Sequence, residues 1–156
     1  MRKLNFLMAI LASIFALQFS WAQPGLYDVE AGAFYFSPSE LVIEVGSTVT
    51  FTNVGGFHDV NFDINSITGE SFGNPESLLN DDGSAILGAV YSAGPDSPVE
   101  IGSYTFGVEG TYTYDCSIGT HAAQGMVGTI VVTPAGDYYG CMDEGACNFD
   151  PIANIE

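Results

Sequence analysis

Between positions 40 and 45, Leu41, Ile43 and Val45 fall on one side of an extended chain, and from 48 to 52 Val49 and Phe51 alternate with three threonines. A period of two marks a strand buried on one face and wet on the other. Ser37-Pro38-Ser39 and Gly46-Ser47 supply the turns that bound these runs. Similar short stretches rich in Val, Ile, Thr, Tyr and Phe predict further strands near 27–36, 58–62, 85–91, 99–106, 111–116 and 127–132. Seven or eight such strands in about 110 residues predict an all-β fold, a Greek-key β-sandwich of about eight strands. The stretch 65–98 breaks the rhythm with Gly69, Gly73, Pro75, Asp81-Asp82-Gly83, Gly94-Pro95 and Pro98. It reads as a long connection with one helical turn at 75–80.

The two ends of the chain have other textures. Arg2 and Lys3 precede an apolar run over 4–19 broken only by Asn5, Ser13 and Gln18, and Ser20-Trp21-Ala22 places small residues at a cleavage site. This pattern predicts a secretory signal peptide, 1–22, cut before Gln23. The run is short for a membrane span, and no later segment approaches the roughly 20 apolar residues needed. The expected product is exported, periplasmic or extracellular, with no span left after cleavage. Past Pro134 the sequence changes again, so 133–136 reads as a boundary between a domain at 23–134 and an appendage at 135–156.

Composition narrows the function. Apolar residues make up 47% of the chain and charged residues 13%, which excludes intrinsic disorder. Nineteen acidic residues face two basic ones, a net charge of −17, and no Lys or Arg follows Lys3. A nucleic-acid binder relying on a basic stripe is therefore excluded. Self-repulsion favours a soluble monomer, and the one-signed field suits either a plain solvated surface or steering of a basic partner. Three cysteines are too few for a disulfide-dense scaffold, and only His58 and His121 can supply imidazole.

Thr111-Tyr112-Thr113-Tyr114-Asp115-Cys116 alternates strictly, so Cys116 shares the inward face with Tyr112 and Tyr114 at the end of a strand. His121 and Met126 follow on a loop containing Gly119 and Gly125, before the next strand resumes at Val127. One hairpin loop can thus turn a thiolate, an imidazole and a thioether toward one point. Thiolate and thioether favour Cu(I), imidazole accepts either oxidation state, and two imidazoles with a thiolate and a weak axial thioether form the electron-transfer copper arrangement. The second imidazole must be His58, which follows Gly55-Gly56-Phe57. Singly, Cys116 also suits a buried small hydrophobe and Met126 a core filler. Zinc could use two imidazoles and a thiolate, but its fourth position suits Cys, a carboxylate or water better than a thioether.

The motifs Phe34-Tyr35-Phe36-Ser37-Pro38, Ile43-Glu44-Val45-Gly46-Ser47-Thr48-Val49, Phe57-His58-Asp59-Val60 and Tyr112-x-Tyr114-x-Cys116-x4-His121-x4-Met126-Val127-Gly128 resemble the cupredoxins, specifically plastocyanin-like blue copper proteins. The resemblance covers about 26–134 and implies an eight-stranded Greek-key sandwich holding one type 1 copper ion near one end. It implies His58, Cys116, His121 and Met126 as ligands and single-electron cycling between Cu(I) and Cu(II) rather than catalysis. Many members carry Asn after the first histidine ligand, tying the ligand loops together; the resemblance gives that place to Asp59. Four residues separate Cys116 from His121, where plant members usually leave two.

The tail from Gly140-Cys141 to Asn154 resembles the short Cys-containing repeats of some secreted bacterial proteins, cut off before a closing cysteine. Cys141 and Cys147 could pair with each other, or one with a residue beyond the end. The first functional expectation is an exported electron carrier that meets a redox protein through His121, whose ring edge reaches the surface within a collar of Ala122, Ala123, Gly125 and Val127. Alternatives are a copper-binding module of a larger secreted or surface protein and a copper store or chaperone, although handover wants exposed ligands. A Cys-His hydrolase is the weakest, because no orienting group is evident beyond Asp115.

Overall fold

The computed structural model describes residues 24–136 and Cys141. Nine strands are present among them: β1 (Leu26–Gly32), β2 (Tyr35–Ser37), β3 (Glu40–Glu44), β4 (Thr48–Asn53), β5 (Gly56–His58), β6 (Val90–Ser92), β7 (Val99–Thr105), β8 (Gly110–Asp115) and β9 (Val127–Thr133). They form a four-stranded sheet in the order β2-β1-β4-β7, a three-stranded sheet in the order β3-β9-β8, and the β5-β6 ribbon. The chain crosses between the two larger sheets from β2 to β3, from β3 to β4 and from β7 to β8. The result is the expected Greek-key sandwich. Two neighbouring pairs, β1 with β4 and β3 with β9, run parallel.

Alternation builds the core. Val29, Val49 and Phe51 of one sheet and Ile43, Tyr112, Tyr114, Ile130 and Val132 of the other are all buried. Tyr114 lies at the centre, with ring centroids 4.9 Å from Phe36, 5.6 Å from Phe51 and 4.8 Å from Phe62. Gly128 stands opposite Tyr114 in the ladder, and a Cβ there would lie 2.2 Å from the tyrosine ring. Glycine at 128 therefore makes room for the largest side chain in this layer.

Four local expectations are corrected. The run 27–36 is a hairpin of two strands, because the chain reverses at Ala33-Phe34, with Phe34 at φ 63° and Gly32 paired with Tyr35. His58 ends a strand instead of starting one, since Asp59 turns inward and only Asn61 bridges onward, to Asp115. The strand expected over 85–91 shrinks to Val90–Ser92. No helical turn forms at 75–80: Leu79 bridges Ala85 in an extended pairing around Asp81-Asp82-Gly83, and Asp82 caps that turn by accepting from Ser84. Among the described residues the single helical element is a 3-10 turn, Ala122–Gln124. The appendage, apart from 135–136 and Cys141, and the Cys141–Cys147 pairing lie outside the described residues, as does the signal peptide.

Candidate metal centre

The loop from β8 to β9 is folded by its own backbone. Cys116 donates its amide to the Met126 carbonyl at 3.1 Å, Met126 donates to His121 at 3.1 Å, and His121 donates to Ile118 at 3.1 Å. The 3-10 turn follows His121 and closes on Gly125, at φ 100°, a conformation that favours glycine. These bonds hold Cys116, His121 and Met126 in one compact loop. Cys116 and Met126 are fully buried, and His121 is half-buried.

His58 arrives from the β5-β6 ribbon. Gly56, at φ 98°, lets the backbone pass close to the ring, since a Cβ there would lie 2.9 Å from His58 Nε2. Nε2 lies 2.9 Å from the Gly55 carbonyl, which can only accept, so it carries the proton and leaves the Nδ1 lone pair free. That Nδ1 sits 3.7 Å from Cys116 Sγ and 3.2 Å from His121 Nδ1, and Sγ to His121 Nδ1 is 3.4 Å. The point equidistant from the three atoms lies about 2.0 Å from each, the length of a metal–nitrogen bond and about 0.3 Å short of a metal–sulfur bond, so an ion there would sit nearer the two nitrogens. Two imidazole nitrogens and a sulfur converging this closely in a buried place fit one soft-to-borderline cation.

The electrostatics agree. Burial pushes the Cys116 thiol up to about 11, against the pull of the Asp59 and Ile118 amides. Burial likewise lowers the His58 pKa, and the nearby His121 adds to that, while the Gly55 carbonyl and Asp59 oppose it. The pocket thus disfavours a free thiolate and an imidazolium alike, and a bound cation removes both penalties.

Asp59, almost fully buried, accepts the Ser117 amide at 2.7 Å on Oδ1 and the Ser117 hydroxyl on Oδ2. The residue after His58 is thereby fastened to the residue after Cys116. Sequence reasoning missed a second organiser, Asn53. Its side chain donates to the Gly56 and Val90 carbonyls at 2.9 and 2.8 Å and accepts the Gly55 amide at 2.9 Å, shaping the turn that presents His58. The available signal was an Asn at the inward position that follows Val49 and Phe51.

Of the expected collar beside His121, Ala123, Gly125 and Val127 are exposed. Ala122 is buried, because the 3-10 turn points it inward, and it cannot meet a partner. A cleft of about 630 Å³ also opens beside His121, lined by that residue together with Phe34, Tyr35, Phe57, Pro95 and Ile118. Phe34 meets the His121 ring edge-on, with centroids 4.9 Å apart. No helix among the described residues is long and apolar enough to cross a membrane.

The model of the copper binding proteins of the plastocyanin/azurin family matches residues 24–133. A plastocyanin from Scenedesmus fuscus is 36% identical over 104 residues, covering 66% of this chain and 91% of that protein. A chloroplastic plastocyanin from Oryza sativa subsp. indica is 32% identical over 126 residues, covering 80% and 72%. Among solved structures, reduced auracyanin from Roseiflexus castenholzii aligns over 72% of this chain and 99% of its own, at 23% identity and a TM-score of 0.45. The match across the whole sandwich, joined to the converging His, Cys and His donors, shows that the chain belongs to the plastocyanin/azurin family of copper binding proteins, a plastocyanin-like cupredoxin with copper as its cofactor.

Proposed function

We propose that in this type 1 copper electron carrier His58 Nδ1, Cys116 Sγ, His121 Nδ1 and the Met126 thioether would hold the ion, and that the protein passes single electrons. Bound copper supplies the Cu(I)/Cu(II) couple. The protein supplies a fixed cage: the Gly55 carbonyl orients His58, Asp59 locks the two ligand loops, and the packed core excludes water from Cys116. A site that need not rearrange between oxidation states exchanges electrons with little reorganisation. The triangle of donors, with its centre about 2.0 Å from each atom, is the observation that carries this reading.

Electrons leave through His121, whose half-buried ring opens on the aromatic cleft. The partner is a redox protein, and the chain's acidic surface suits one with a basic docking face. We take the protein to be exported after loss of residues 1–22, to act as a monomer, and to carry its copper domain within 23–134, the appendage being dispensable for the metal. Burial of His58 and Cys116 favours a carrier over a store or chaperone, whose ligands must be reached for exchange.

One visible spectrum tests the reading. Cu(II) added to the purified protein is expected to give an intense blue thiolate-to-copper band, which Cys116→Ser abolishes. Met126→Leu is expected to keep the colour and shift the potential. A colourless copper-loaded protein overturns the assignment.

A further inference from the structure

β8, the strand leading to Cys116, is the outermost strand of its sheet, and the segment 61–74 lies along its open edge. The Asn61 amide donates to the Asp115 carbonyl at 2.8 Å, and the Asp115 amide donates back at 3.0 Å. The Asn74 side chain imitates a strand residue at Thr113, donating to its carbonyl at 2.9 Å and accepting its amide at 2.8 Å. The first part of the long inter-strand connection therefore covers a bare edge that would otherwise invite another strand.

Its firmest grip is on Asp115. This carboxylate is buried, 1% exposed, in a chain with no Lys or Arg beyond residue 3. It accepts Asn61 Nδ2 at 2.8 Å, the Ser66 amide at 2.7 Å and the Ser66 hydroxyl at 2.9 Å. Every one of these neighbours is a neutral donor. Hydrogen bonds stabilise such a group without cancelling its charge. The negative charge consequently stands on the residue covalently joined to Cys116.

We propose that Asp115 is a positioning residue for the copper thiolate, anchoring 61–66 to the end of β8 and, through its uncancelled buried charge, lowering the copper reduction potential. The proposal rests on the electron-carrier reading given above. Loss of an electron makes the metal site more positive, so a fixed nearby anion stabilises Cu(II) relative to Cu(I). Surface carboxylates act weakly because counter-ions screen them, whereas a carboxylate enclosed by protein keeps its field in salt. Asp59, tied to the residue on the other side of Cys116, fixes the loops from the opposite flank. The thiolate is thus bracketed by two hydrogen-bonded carboxylates.

The experiment measures the potential of the copper-loaded full chain and of two variants, at low and high salt, together with amide exchange at Ser66. Asp115→Asn keeps the shape and removes the charge. It is expected to stay blue, to shift the potential upward by the same amount at both salt concentrations, and to exchange the Ser66 amide faster. Ser66→Ala keeps the charge and strips one donor from it, so the potential is expected to move downward. An unchanged potential in Asp115→Asn, or shifts of the same sign in both variants, overturns the proposal. If Asp115→Asn does not fold, Ser66→Ala decides alone: a lower potential supports the proposal, and an unchanged or higher one overturns it. Absence of the blue band in the unsubstituted protein would instead overturn the carrier reading.

Discussion

Asp59 accepts both the backbone amide and the hydroxyl of Ser117, so the loop that ends β5 and the loop that follows β8 are one hydrogen-bonded unit. His58 and Cys116 sit immediately before these two anchors in sequence, and their donor atoms meet at 3.7 Å. The distance between these two proposed ligands, which come from different sheets, is thereby held by a pair of residues next to them in sequence.

Asp59→Ala is expected to weaken copper binding by about 10- to 100-fold, the usual cost of removing a group that orients metal ligands. Competition with a chelator measures it. Asp59→Asn, which still accepts the Ser117 amide, is expected to retain most of the affinity. Equal losses in the two variants would show that hydrogen bonding at this position does not order the ligands.

Copper uptake is expected to depend on pH through Cys116. Its thiol is pushed up to about 11 by burial, so the metal-free protein keeps this proton at neutral pH and must release it on binding. The sign follows directly: affinity rises with pH, about tenfold per unit while one proton is displaced, and levels off near 11. The His58 pKa is lowered, mainly by burial, so this imidazole competes with protons only toward acid pH and steepens the loss there. Titration of Cu(I) into weakly buffered protein with a pH indicator should show about one proton released per ion at neutral pH.

The core around Tyr114 carries a mismatch. Its hydroxyl is buried with no hydrogen-bond partner among the described residues, and burial raises its pKa far above the ordinary phenol value. Tyr114→Phe removes an unsatisfied polar group from a site that already accepts the ring, and is expected to stabilise the fold by about 1 kcal/mol or more. Gly128→Ala drives a methyl into that ring and is expected to destabilise by about 1–3 kcal/mol. Denaturant midpoints for the two variants should move in opposite directions.

Docking should respond to salt and to the aromatic cleft separately. Electron exchange with a basic redox partner is expected to slow as ionic strength rises, because screening acts over about 8 Å at physiological salt. Phe57, exposed at the rim of the cleft, tests the exit: Phe57→Glu is expected to slow transfer at every salt concentration while leaving the blue band intact. Rates unaffected by Phe57→Glu would place the exit elsewhere than His121.

The alternation of Val49 and Phe51 with threonines, and of Tyr112, Tyr114 and Cys116 with polar neighbours, was readable without coordinates because a strand's side chains obey a period of two. His58, Cys116, His121 and Met126 were equally plain as candidate donors, since so few residues of the chain offer soft sulfur or imidazole nitrogen, and His58, Cys116 and His121 do converge. The sequence by itself therefore determined the sandwich and copper as its cofactor. Tertiary structure decided everything that depends on meetings between distant segments. The hairpin at Phe34 looked like one strand because local pattern does not register a reversal between two β-forming runs. Ala122 looked like surface because the loop's 3-10 turn, fixed by backbone bonds rather than by composition, rotates it inward. Asp115 sat at an outward position of its strand, and only the return of Asn61 and Ser66 to the edge of β8 buries it. A polar residue's role depends on which donors fold back onto it, and that information lies in long-range packing, not in periodicity.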